Sequence, residues 1–124
     1  MTIPKFRAWD VHEEKMFTND QLIIWNGNVY ANDNSELNVN NLKGWSIDEK
    51  YLMQSTGLKD KNGKEIYEGD IVLIYGEKIS KVFYSQGSFC VDILNGGTPL
   101  HGFSPKQLEV IGNIWENKEF LEEE

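Results

Sequence analysis

Glycine falls beside almost every short apolar run in this chain, and that punctuation leaves few folds open to it. Gln21-Leu22-Ile23-Ile24-Trp25, Ile71-Val72-Leu73-Ile74-Tyr75 and Phe89-Cys90-Val91-Asp92-Ile93 are of strand length and rich in β-branched and aromatic residues; Gly27, Gly69, Gly76, Gly87 and Gly96 flank them. Strand candidates recur roughly every ten residues, the spacing of all-β sandwiches and barrels. No segment keeps a helical period long enough to form a layer, and no strand–helix–strand alternation supplies the crossovers of a parallel sheet. We therefore expect a mainly all-β chain. Its centre is a small, SH3-like, partly open β-barrel over residues 51–116. An N-terminal β-meander with an Asn-rich loop, residues 1–50, packs on it, and an acidic tail, residues 117–124, completes a single compact unit with only short helical turns.

Local signals fill in the elements. Parity along Phe6-Arg7-Ala8-Trp9-Asp10 sets Phe6, Ala8 and Asp10 on one face and Arg7 with Trp9 on the other. Asn26-Gly27 is the dipeptide of a two-residue hairpin, because both residues tolerate positive φ. Residues 32–44 are dominated by Asn and Asp, whose side chains compete for backbone hydrogen bonds, so a loop is expected there with one short strand near Glu36 to Val39. Ile71 to Tyr75 is apolar without a break and reads as a central strand buried on both faces. Ile79 to Tyr84 reads as one strand. Ser104-Pro105-Lys106-Gln107 has the cap and first-turn residues of a short helical turn, and Phe120 with Leu121 marks another.

Charge and cysteine usage narrow the function classes. Twelve Lys+Arg against twenty Asp+Glu leave a net charge of −8, which repels phosphate backbones and disfavours general nucleic-acid binding. No run approaches the ~20 apolar residues of a membrane span. Cys90 is the only cysteine, so no internal disulfide forms. The start of the chain lacks the apolar stretch of a secretory signal, and a reducing, cytoplasmic setting is expected.

Residues that announce chemistry are scarce. Asp60-Lys61-Asn62-Gly63 resembles the start of a calcium loop, but its glycine comes too early and its lysines repel a cation. His12 and His101 have no metal-ligand spacing between them. Cys90 sits among apolar neighbours, without the basic surroundings of a reactive thiolate. Gly87-Ser88 is not a nucleophile elbow, and no Gly-rich phosphate loop is present. No catalytic residue, metal or cofactor is expected, and the chain is not read as an enzyme. The surplus is aromatic: six Phe, five Tyr and four Trp. Small barrels use exposed rings to grip peptides or stack bases. The candidate interaction surface takes Arg7 and Trp9 from the first strand, and Lys59, Asp60, Asn62, Lys64, Glu68 and Asp70 from the turns before the central strand.

One long block, Leu52-Met53-Gln54-Ser55-Thr56-Gly57-Leu58-Lys59-Asp60-Lys61-Asn62-Gly63-Lys64-Glu65-Ile66-Tyr67-Glu68-Gly69-Asp70-Ile71-Val72, resembles the YopX family. Arg7-Ala8-Trp9-Asp10 and Glu109-Val110-Ile111-Gly112-Asn113-Ile114-Trp115-Glu116-Asn117 extend the resemblance to both ends. Ser55 and Trp115 depart from it, standing where the family often has an aromatic residue and Tyr. The resemblance implies a phage or prophage protein of the bacterial cytoplasm, largely β, without an assigned activity. The expected role is that of an accessory interaction protein that binds another protein or a second copy of itself. The alternative is a weak single-stranded nucleic-acid binder.

Overall fold

Alternating and continuous apolar runs of strand length give thirteen strands among the described residues, the first of them β1 (Phe6–Asp10). The structure, a computed structural model, describes residues 5–25, 28–31, 45–92, 97–117 and 119–122. The chain divides into two units, Met1–Gln54 and Ser55–Glu124.

In the first unit, β1 runs between β2 (Lys15–Phe17) and a later strand that opens at Leu52; Ala8 pairs with Phe17 on one side and with Leu52 on the other. Ala8, Trp9 and Asp10 are buried in succession, so both faces of β1 are covered. Trp9, 6% exposed, is therefore not the accessible ring that parity alone suggests. Asp10 shapes the turn into β2: its Oδ1 accepts the backbone N–H groups of His12 at 2.9 Å and Glu13 at 3.2 Å. A meander follows, formed by β3 (Leu22–Trp25), β4 (Asn28–Ala31) and β5 (Trp45–Ile47). Trp25 pairs with Asn28, which makes the connection two residues long. Asn26-Gly27 and the 32–44 loop with its expected strand lie outside the described residues. Ala8, Phe17, Val29 and Ile47 form the core of this unit.

The strand β6 (Leu52–Lys59) runs through the boundary, and the second unit continues with β7 (Glu65–Tyr67), β8 (Asp70–Ile74), β9 (Lys78–Lys81), β10 (Phe83–Ser85), β11 (Ser88–Asp92), β12 (Gly97–Pro99) and β13 (Leu108–Asn113). The run from Ile71 is central as expected: β8 lies between β13 and β9, and Ile71, Val72 and Ile74 are fully buried. β6 and β7 pair at Ser55–Tyr67 and Lys59–Glu65 with a register shift between. There side-chain hydroxyls replace ladder bonds: Ser55 Oγ accepts from the Gly57 N–H, Thr56 Oγ1 accepts from the Leu58 N–H, and Thr56 Oγ1 donates to the Ile66 carbonyl.

The expected single strand from Ile79 to Tyr84 is two strands. The break falls at Val82, whose N–H donates to the Asp70 carbonyl and whose carbonyl accepts from the Gly69 N–H, both at 2.8 Å. The chain thereby leaves the β8 ladder and enters a second one, β10-β11-β12, in which Pro99, lacking a donor, sits on an edge strand. This corner gives the partly open barrel anticipated from the sequence. Ile66, Val72, Ile74, Val82, Val91, Leu100 and Leu108 fill its core. Among the described residues helical structure is limited to short pieces, including the 3-10 turn Pro105–Gln107 and the α-helical turn Glu119–Glu122. Among the described residues no helix is long and apolar enough to cross a membrane.

Candidate interaction surface

The Asp60 turn is built by one carboxylate. Asp60 is 3% exposed; its Oδ1 accepts the N–H groups of Lys64 at 2.8 Å and Asn62 at 2.9 Å, and its Oδ2 accepts the N–H of Val110 at 2.9 Å. Its own N–H donates to the Lys64 carbonyl, and its carbonyl accepts from Gly63, which takes φ +79. The Lys61 N–H donates to the Leu108 carbonyl at 2.9 Å. Together these bonds lay the turn along the outer edge of β13 and cover backbone groups that an incoming strand would otherwise use. Burial pushes the Asp60 carboxyl up, but the N–H groups of Val110, Lys64 and Asn62, with the Lys64 ammonium, outweigh it and hold the group below its ordinary value.

Of the turn's side chains, Lys61 lines a groove beside it. Lys61 Nζ lies 3.4 Å from Glu109 Oε1. A shallow concavity of about 230 Å³ elsewhere in the unit has Thr56, Leu58, Phe89, Leu100 and His101 on its walls, and its Thr56 hydroxyl is engaged in the bulge. The groove beside the turn is smaller, about 110 Å³, with Leu73 and Leu108 in its lining and Lys61, Lys106 and Tyr75 around them.

Tyr75 is the unusual residue here. It is 58% exposed, adopts φ +55 in the β8–β9 turn, and is followed by Gly76. Its N–H donates to the Gln107 carbonyl at 2.9 Å, and its ring meets Phe103 edge-on with centroids 5.8 Å apart. A bulky side chain in left-handed backbone costs about 1–3 kcal/mol, and such residues gather at functional sites. Leu73 pairs across the ladder with Ile79, itself 40% exposed, so the apolar surface continues over β9.

The structure distributes the residues singled out from the sequence unevenly. Lys59, Asn62 and Lys64 are exposed around the Asp60 turn. Asp60 and Asp70 are buried and serve backbone donors, Asp70 Oδ2 accepting the Tyr67 N–H at 2.8 Å across the Glu68-Gly69 turn. Glu68 is half-buried. Arg7 is half-buried and Trp9 buried in the first unit. Tyr75, Lys106 and Phe103 were not among the sequence candidates: Tyr75 ends an apolar run and carries no mark of its turn conformation except the glycine after it. Asn113, also missed, is buried and organises the following turn, its Oδ1 accepting the N–H groups of Trp115 and Glu116 at 2.9 Å. Among the described residues, no three His, Cys, Asp or Glu side chains gather as metal ligands would.

The family described as YopX protein matches residues 5–122. The crystal structure of protein EF1440 from Enterococcus faecalis is similar over 98% of this chain and 99% of that one, with 29% identity and a TM-score of 0.66. No curated protein matches the chain.

Proposed function

This chain belongs to the YopX family, and from that premise we propose that it is an accessory interaction protein, phage- or prophage-encoded and cytoplasmic, that binds another protein without catalysing a reaction. The observation that carries this reading is Tyr75, an exposed ring held at φ +55 beside a groove lined in part by Leu73. A bulky residue kept exposed in left-handed backbone supports a recognition role. The two aspartates of the central motif are otherwise occupied: Asp60 and Asp70 hold backbone N–H groups.

An SH3-like reading of the second unit draws support from the 3-10 turn Pro105–Gln107 that leads into β13, and from β13 pairing back onto β8. Self-association through strand edges finds less support in this unit, where the Asp60 turn lies along β13, Pro99 stands on β12, and Lys78 and Lys81 lie on β9. The second reading, weak single-stranded nucleic-acid binding, draws on Tyr75 beside Lys61 and Lys106, against a net charge of −8.

The test is affinity capture from host cells followed by reconstitution with the purified partner. A partner that binds the isolated chain supports the interaction reading. Failure of every captured protein to reconstitute, or turnover of a captured small molecule, refutes it.

A further inference from the structure

We propose that the groove between the Asp60 turn and the β8–β9 turn receives an acidic segment of the partner protein, which lays an apolar side chain over Leu73 and Tyr75 and sets carboxylates on Lys61 and Lys106. This rests on reading that end of the unit as an interaction surface and names the chemistry it selects. The chain carries −8, yet the small groove beside Tyr75 is lined by two lysines. Its one acid, Glu109, is 3.4 Å from Lys61 in a pair whose side chains are 49% and 33% exposed. An exposed pair of this kind is weak and salt-screened, so an incoming carboxylate competes for Lys61 at small cost. No ion pair involves Lys106 among the described residues.

Leu73 provides the apolar part of the lining, and Tyr75 stands beside it with its backbone fixed to Gln107 and its ring set against Phe103. An anchor fixed before binding loses little entropy when it binds. A volume of about 110 Å³ holds part of one side chain. The net charge of −8 opposes any anionic ligand, but it opposes a nucleic acid, charged at every nucleotide, more than a short segment whose few carboxylates reach the two lysines, so acidic-apolar sequence is favoured.

The test uses the full chain labelled with ¹⁵N, titrated with acetyl-Glu-Glu-Phe-Glu-Glu-amide, with acetyl-Lys-Lys-Phe-Lys-Lys-amide, and with a short oligothymidylate. The acidic peptide is expected to shift the amide resonances of Lys61, Gly76, Lys106 and Gln107, the effect weakening with salt, and the basic peptide to leave them unmoved. Tyr75→Gly keeps the turn, because glycine favours its φ, and should weaken acidic-peptide binding about tenfold. Lys61→Gln and Lys106→Gln should each weaken it and flatten the salt dependence. Absence of shifts with the acidic peptide, shifts confined elsewhere, unchanged binding by Tyr75→Gly, or stronger shifts with oligothymidylate would overturn the proposal. A reconstituted partner that binds Tyr75→Gly as tightly as wild type leaves the interaction reading standing and removes this surface from it.

Discussion

Asp60 Oδ2 accepts the backbone N–H of Val110 at 2.9 Å, joining residues fifty positions apart in the chain. Because Asp60 Oδ1 at the same time holds Asn62 and Lys64, one carboxylate both folds its own turn and fastens that turn to β13. Asp60→Ala leaves three donors without this acceptor, and hydrogen bonds to charged groups contribute about 1.5–3 kcal/mol each. Since the effects are not additive, the expected loss is about 3–5 kcal/mol. Asp60→Asn keeps one acceptor oxygen and should lose about 1–2 kcal/mol. Urea unfolding followed by tryptophan fluorescence measures both.

Acid should act through the same residue. The folded Asp60 carboxyl titrates below its ordinary value, so its ionised form stabilises the fold at every pH above the unfolded carboxylate range of about 3.9. That contribution is lost as pH falls from there through the lower folded value. Wild type should therefore lose more stability between neutral pH and about pH 3 than Asp60→Asn does. Parallel acid limbs for the two proteins would contradict the assignment.

Gly112 is fixed by the side chain of Asn117. A Cβ built at Gly112 would lie 2.5 Å from Asn117 Oδ1 and 2.8 Å from Asn117 Cβ, and the near end of that side chain cannot swing away. Asn117 Oδ1 also accepts the Asn113 N–H at 3.2 Å, and Asn113 in turn holds the turn after β13. Gly112→Ala should cost about 1–3 kcal/mol, read as a lowered midpoint in thermal unfolding.

These residues show what the chain's linear pattern reveals and what it hides. The unbroken apolar run from Ile71 carried its own answer, because a strand apolar on both faces has to be central. Asp60 with Gly63 was legible as turn chemistry, since both the acceptor and the residue with positive φ are local. The attachment of that turn to Val110 was not, because nothing near either residue encodes a partner fifty positions away. Ile79 to Tyr84 holds no glycine or proline to mark a break, and only the bonds of Val82 to Gly69 and Asp70 divide it in two. Trp9 misled for a related reason: parity tells which face a ring is on, whereas its burial depends on what covers that face. Tyr75 carried no signal because its conformation is set by the hairpin and by Gln107, not by its own side chain.

Cys90 is 5% exposed on β11, close to the position a Cβ on Gly97 would take. Its thiol should resist a thiol reagent such as DTNB in the folded protein and react fully once urea unfolds the chain. Rapid labelling without denaturant would contradict its burial.

Tyr75→Gly removes an exposed ring and the strain of a left-handed non-glycine residue, while loosening the unfolded chain. Its stability should fall within about 1 kcal/mol of wild type. A much larger loss in the urea midpoint would make Tyr75 a structural residue.

Asp60 fastens its turn to the β13 edge through the Val110 amide. Native-state hydrogen exchange of that amide in wild type and Asp60→Asn reads this bond. The amide should be protected like the rest of the β13–β8 ladder in wild type, and it or the Asn62 and Lys64 amides should exchange about tenfold faster in the variant. Equal exchange at all three amides in the two proteins would contradict it.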